Sequence, residues 1–139
     1  MPERRRRRRG LLDTSVVIDL EQIPVAALPA EVAVSSITLA ELAAGPHATS
    51  DPEERARRQE RLQRVEATFD PLPFDAAAAR AYGLLYAAVV SAGRKARGRR
   101  AIDVFVAAVA RANELPLYTN NPSDFAGLED LVEVIPVEK

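Results

Sequence analysis

Two rhythms of apolar and polar positions run along this chain. Gly10-Leu11-Leu12 is a short apolar block that ends on Asp13-Thr14-Ser15, followed by Val16, Val17, Ile18 and Leu20. Side-chain oxygens placed before an apolar stretch cap helices, so the pattern predicts a buried strand end followed by a helix. Pro24 and Pro29 mark a loop. Residues 31–36 (EVAVSS) alternate and read as a second strand, after which Thr38 opens a helix that Gly45-Pro46 stops. Residues 52–67 are highly charged, with Leu62, Val65 and Phe69 as a narrow apolar stripe, the mark of a helix resting one edge on the core.

The segment 69–74 (FDPLPF) reads as an extended link or edge strand, because Pro71 and Pro73 cannot donate to a ladder. Asp75 caps an Ala-rich helix to about Ala92, in which Ala81, Leu84, Leu85 and Ala88 recur at helical spacing. Residues 93–100 form a loop, 101–113 an apolar helix, and 115–118 and 131–136 two further strands. Strands alternating with helices imply right-handed crossovers and an α/β fold: three layers, α/β/α, around a mostly parallel central sheet.

Length and composition narrow the picture. At 139 residues and 47% hydrophobic, the chain supports a single domain with its own core. Cysteine is absent, which removes disulfides, thiolate metal sites and cysteine nucleophiles. Asp13 and Asp19 interrupt the apolar run that follows the basic start, and no stretch reaches the ~18 apolar residues of a membrane span, so a cytoplasmic location without membrane association is expected. The formal charge of −1 conceals an asymmetry. Residues 1–10 carry six Arg and one Glu, whereas the remainder holds 13 basic and 19 acidic side chains. A disordered basic arm over residues 1–9 is therefore expected in front of an acidic domain at 10–139.

Three acids fall at expected helix starts: Asp13, Glu41 and Asp103, spaced 28 and 62 residues apart. Each has a bland explanation. Asp13 suits an N-cap, Glu41 has the capping-box spacing from Thr38, and Asp103 complements a helix dipole in a first turn. Together they point further. In a parallel sheet, the helix starts that follow strands share one edge, where ligand chemistry gathers. Asp103 lies in a helix apolar on most sides, and no Lys or Arg follows within seven residues. Carboxylates that converge without a cation repel each other, and an all-oxygen donor set suits Mg²⁺ or Mn²⁺.

The blocks LLDTSVVIDL, SSITLAEL, AIDVFVAAVA and YTNNPSDF resemble, in that order, the four motif blocks of PIN-domain ribonucleases, and the resemblance is most pronounced for VapC-type toxins of type II toxin–antitoxin modules. It spans about residues 10–137. It implies metal-dependent endoribonuclease activity on an RNA substrate, a homodimer, and a cognate VapB-like antitoxin. By motif it assigns catalytic roles to Asp13, Glu41, Asp103 and Asp124, and metal ligation to Asp13, Asp103, Asn121 and Asp124, with Ser15 and Thr119 in support. The family's usual fourth acid falls on Asn121 here, which leaves Asp124 as the candidate fourth carboxylate.

An acidic centre repels RNA, so cations must rim it. Arg94, Arg97, Arg99 and Arg100, just before the Asp103 helix, are the candidate phosphate contacts. His47, the sole histidine, is expected on a solvated loop. Two rivals stand against a nuclease. A receiver-like or phosphatase-like domain needs a Lys after a late strand, and the only lysines are Lys95 and the terminal Lys139. A non-catalytic PIN-like binding module, weakened for metal by Asn121, makes the same fold.

Overall fold

The computed structural model describes residues 8–138. Four short strands, β1 (Arg9–Leu12), β2 (Glu31–Ala33), β3 (Leu117–Thr119) and β4 (Val134–Pro136), form one sheet in the order β2-β1-β3-β4, with every pairing parallel. Five α-helices connect them: α1 (Thr14–Ile18), α2 (Ser36–Ala44), α3 (Pro52–Thr68), α4 (Ala76–Ser91) and α5 (Arg99–Ala112). Because all the strands run the same way, their carboxyl ends share a single edge. Asp13, Ser35 and Asn120 lie at or just past that edge.

Alternation along the strands produces the three layers. Leu11, Ala33 and Leu117 point into a core with α4 and α5, built on Leu85, Val89, Val106 and Val109. Their neighbours Leu12, Val34 and Tyr118 point into a second core with Val16, Val17, Leu42 and Val65. A sheet covered on both faces needs apolar residues on both faces, which is why these strands read as continuous apolar blocks. On the outer side of the first core, Phe105 stacks on Tyr82 with centroids 4.8 Å apart and meets Phe74 edge-on at 5.3 Å.

Several expected boundaries move. The paired stretches are shorter than the sequence rhythm implied: β2 stops at Ala33 rather than residue 36, β3 covers 117–119 rather than 115–118, and only 134–136 of 131–136 pair. The segment around Leu72 pairs beside β2, with Leu72 N–H donating to Val34 O and Ser36 N–H to Leu72 O, so it extends the sheet edge as an isolated bridge. Of the residues that recur at helical spacing in α4, Leu84 is 46% exposed, whereas Leu85 turns inward with Val89. Arg9 belongs to β1, and Arg8 and Arg9 lie 3.9 and 4.0 Å from Glu31, so the last two arginines of the run are part of the fold. The rest of the expected disordered arm, residues 1–7, lies outside the described residues. His47 is exposed in a short 3-10 turn after α2, as expected. Among the described residues, no helix is long and apolar enough to cross a membrane.

Candidate active site

Asp13 is the pivot of the carboxyl edge. Its backbone N–H donates to Tyr118 O at 2.8 Å, locking it between β1 and β3, and its extended backbone turns the chain into α1. The side chain caps that helix by accepting from Thr14 N–H at 2.9 Å. It also accepts from Thr119 Oγ1 at 2.8 Å and Ser15 Oγ at 3.1 Å. These donors and the Arg99 guanidinium stabilise the carboxylate, but burial outweighs them and pushes Asp13 above the usual carboxylate range. The bland N-cap reading and the functional one thus describe the same side chain.

Glu41 sits differently from its expected place. The N-cap of α2 is Ser35, whose Oγ accepts from Thr38 N–H at 3.1 Å, so Thr38 lies inside the first turn and Glu41 inside the second. No capping box forms. Glu41 Oε1 accepts instead from Thr14 Oγ1 at 2.6 Å. A carboxylate only accepts, which commits the Thr14 proton. Thr14 Oγ1 must then accept from Thr38 Oγ1 at 2.9 Å, and Thr38 in turn from Ser35 Oγ at 3.4 Å. A directed chain of hydroxyls therefore ends on Glu41 and fixes its orientation from two strand ends.

Asp103 lies in the second turn of α5, not the first, because the helix opens at Arg99. It is 3% exposed. The missing cation is four residues upstream on the same helical face: Arg99 Nε lies 3.6 Å from Asp103 Oδ1. Arg99 Nη1 also donates to Glu41 Oε2. Gly98, with φ of 57°, makes the left-handed turn that delivers Arg99 into the helix start. Burial raises Asp103 to a pKa of about 7, against the pull of Arg99, and the charges of Asp13, Asp124 and Glu41 add to the rise. Glu41 and Asp103 thus meet across one guanidinium, and the charge of Asp13 acts on both Arg99 and Asp103.

The remaining candidates divide. Asp124, in the turn after β3, contributes to the field on Asp103. Asn121 has an exposed side chain, and its backbone N–H donates to Thr119 Oγ1 at 2.9 Å. It lines a cleft of about 540 Å³ with Ser15, Asp19 and Asn120. Asn120, unremarked in sequence, is the more engaged amide: its Nδ2 donates to Ser15 O at 3.2 Å and Asp19 Oδ2 at 3.1 Å. Arg99 opens α5 and binds carboxylates instead of standing in the loop with Arg94 and Arg97, and Arg100 is likewise helical. A second cleft, of about 280 Å³, is lined by Thr14, Glu41 and Arg99 together with Arg58 and Arg61 of α3. Arginines on α3 were legible only as a charged helix face.

The donor set is all oxygen, which fits Mg²⁺ or Mn²⁺. Among the described residues, however, no three His, Cys, Asp or Glu side chains already stand grouped as an ion would gather them. The cation among the acids is Arg99.

Sheet order, layering and this acidic edge define a three-layer α/β/α domain with its polar site at the carboxyl ends of parallel strands. The PIN domain family model matches residues 10–130, and the chain belongs to that family. It is 39% identical over 133 residues to Ribonuclease VapC5 of Mycobacterium tuberculosis, covering 92% of this chain and 95% of that protein. It is also 39% identical over 134 residues to Ribonuclease VapC4 of the same organism, covering 94% and 98%. A solved structure of the toxin–antitoxin system VapBC-5 from M. tuberculosis contains a chain that superposes with a TM-score of 0.82 at 39% identity, covering 94% of this chain and 99% of that one.

Proposed function

We propose that this protein is a divalent-metal-dependent endoribonuclease, the toxin of a type II toxin–antitoxin pair, acting on RNA phosphodiester bonds. What supports the reading is that Glu41 and Asp103 share Arg99, with Glu41 tied through Thr14 to the residue next to Asp13, in a chain similar over nearly its whole length to two ribonucleases. Asp13, Asp103 and Asp124 would hold the ion, and the exposed amide of Asn121 would reach it from the loop after β3. When bound, Mg²⁺ or Mn²⁺ supplies a more acidic water and polarises the phosphate.

The chain's own residues do the rest. Thr119 and Ser15 keep the Asp13 carboxylate in one orientation, and the hydroxyl chain through Thr14 does the same for Glu41, which would orient the attacking water through Oε2. Arg94, Arg97 and Arg100 would hold backbone phosphates at the rim. The cognate partner would be a VapB-like antitoxin presenting a basic side chain to the carboxylates, and the toxin would act as a homodimer in that complex.

The decisive comparison is wild type against Asp103→Asn in RNA cleavage, with Mg²⁺ or with EDTA. Cleavage by the wild type alone, and only with metal, is expected. Equal cleavage by both proteins would overturn the enzymatic assignment. Inhibition by the antitoxin should weaken when its basic residue is removed.

A further inference from the structure

Arg99 stands in an odd place for a residue of an RNA-binding rim. Its guanidinium donates to Glu41 Oε2, lies 3.6 Å from Asp103 Oδ1, and acts electrostatically on Asp13. It is therefore directed at the same carboxylates that would receive a divalent ion. A guanidinium and a hydrated ion cannot both sit there at full strength, because both neutralise one set of charges. Its side chain is nevertheless 58% exposed, against 5% for that of Asp103, so it can leave without breaking the core.

The position it would leave for is also visible. Arg99 lines the 280 Å³ cleft shared with Arg58 and Arg61. Arg58 is already engaged, donating to Glu54 and to Gly45 O at 2.9 Å. Arg61 is half-buried in the same cleft and has no hydrogen bond or ion pair among the described residues. A cation kept partly out of water with no partner is costly unless an anion arrives. Two guanidiniums, one unpaired and one releasable, make a site for a bidentate phosphate contact.

We propose that Arg99 is an exchangeable counterion. It neutralises Glu41 and Asp103 before metal enters, is displaced by the divalent ion, and then joins Arg61 in holding an RNA backbone phosphate beside the carboxylates. This rests on the ribonuclease reading for the identity of the polyanion, but not for the exchange itself. The consequence is thermodynamic: metal and RNA bind cooperatively through one side chain, because the ion frees the group that RNA needs.

The test measures binding without turnover. Mn²⁺ affinity is determined by electron paramagnetic resonance on the full chain, for wild type, Arg99→Gln and Arg99→Lys. Gln removes the competing charge, so Mn²⁺ should bind about tenfold tighter, with Lys between the two. Affinity for a 2′-O-methyl RNA of fixed sequence is then measured with and without Mn²⁺. Mn²⁺ should raise RNA affinity severalfold more in wild type than in Arg99→Gln or Arg61→Gln. Unchanged Mn²⁺ affinity in folded Arg99→Gln would overturn the exchange, as would an equal metal effect on RNA binding in all variants. Should Asp103→Asn and wild type both fail to cleave RNA while Mn²⁺ still binds tighter to Arg99→Gln, the ribonuclease reading falls and the exchange stands.

Discussion

Replacing Asp103 by Asn should shift the stability of the metal-free protein relative to wild type increasingly in the variant's favour as pH rises. Asp103 is 3% exposed, and its pKa of about 7 lies above the ordinary 3.8. The folded carboxyl therefore keeps its proton over a range in which the unfolded chain has given its proton up. Stability falls as pH climbs through that window and levels off above pH 7. The full difference corresponds to roughly 4 kcal/mol, of which roughly 2.5 kcal/mol is lost between pH 5 and pH 8. Asn has nearly the same shape and no charge to bury, so its contribution does not change over this range. Urea unfolding in EDTA at pH 5, 6, 7 and 8, followed by circular dichroism, reads the difference directly. The gain of Asp103→Asn over wild type should grow by about 2 to 3 kcal/mol from pH 5 to pH 8. A difference between the two proteins that does not vary with pH would refute the burial argument. Mn²⁺ should then shift the balance back toward wild type at neutral pH, because it stabilises only the protein that holds it.

Other perturbations probe different layers. Thr14→Val keeps the shape but leaves the Glu41 carboxylate and the Thr38 hydroxyl each short of a partner; a loss of about 1–3 kcal/mol in urea unfolding is expected, with slower RNA cleavage at saturating Mg²⁺. Gly10→Ala places a Cβ 2.4 Å from the Tyr118 ring and should cost about 1–3 kcal/mol in the same assay, since the ring is packed between β1 and the second core. Arg94→Glu with Arg97→Glu should weaken RNA binding at low salt and flatten its salt dependence; unchanged affinity at low salt would remove these residues from the rim.

The layered α/β architecture was readable because buried parallel strands leave continuous apolar blocks, and Leu11-Leu12 faces both cores in turn. Asp13 was equally readable, since a strand that runs straight into a cap leaves Asp-Thr-Ser at the junction. Glu41 was found but misplaced within its helix. Two serines precede Ile37, and only the early end of β2 at Ala33 decides that Ser35 and not Thr38 is the cap. That ending depends on pairing with β1 and Leu72, which no local pattern reveals. Arg99 shares the helical face of Asp103 only because α5 opens at residue 99, two positions before the start that the apolar pattern marks. The engagement of Asn120 with Asp19 joins positions 101 residues apart and left no local signal.

The parallel sheet also separates positions that border the site from those that do not. β1 starts at Arg9, one strand length away from the carboxyl edge. Val137 and Glu138, which follow β4, help wall the cleft holding Ser15, Asp19 and Asn121. Bulk added on Glu138 would crowd the cleft that Asn121 also lines.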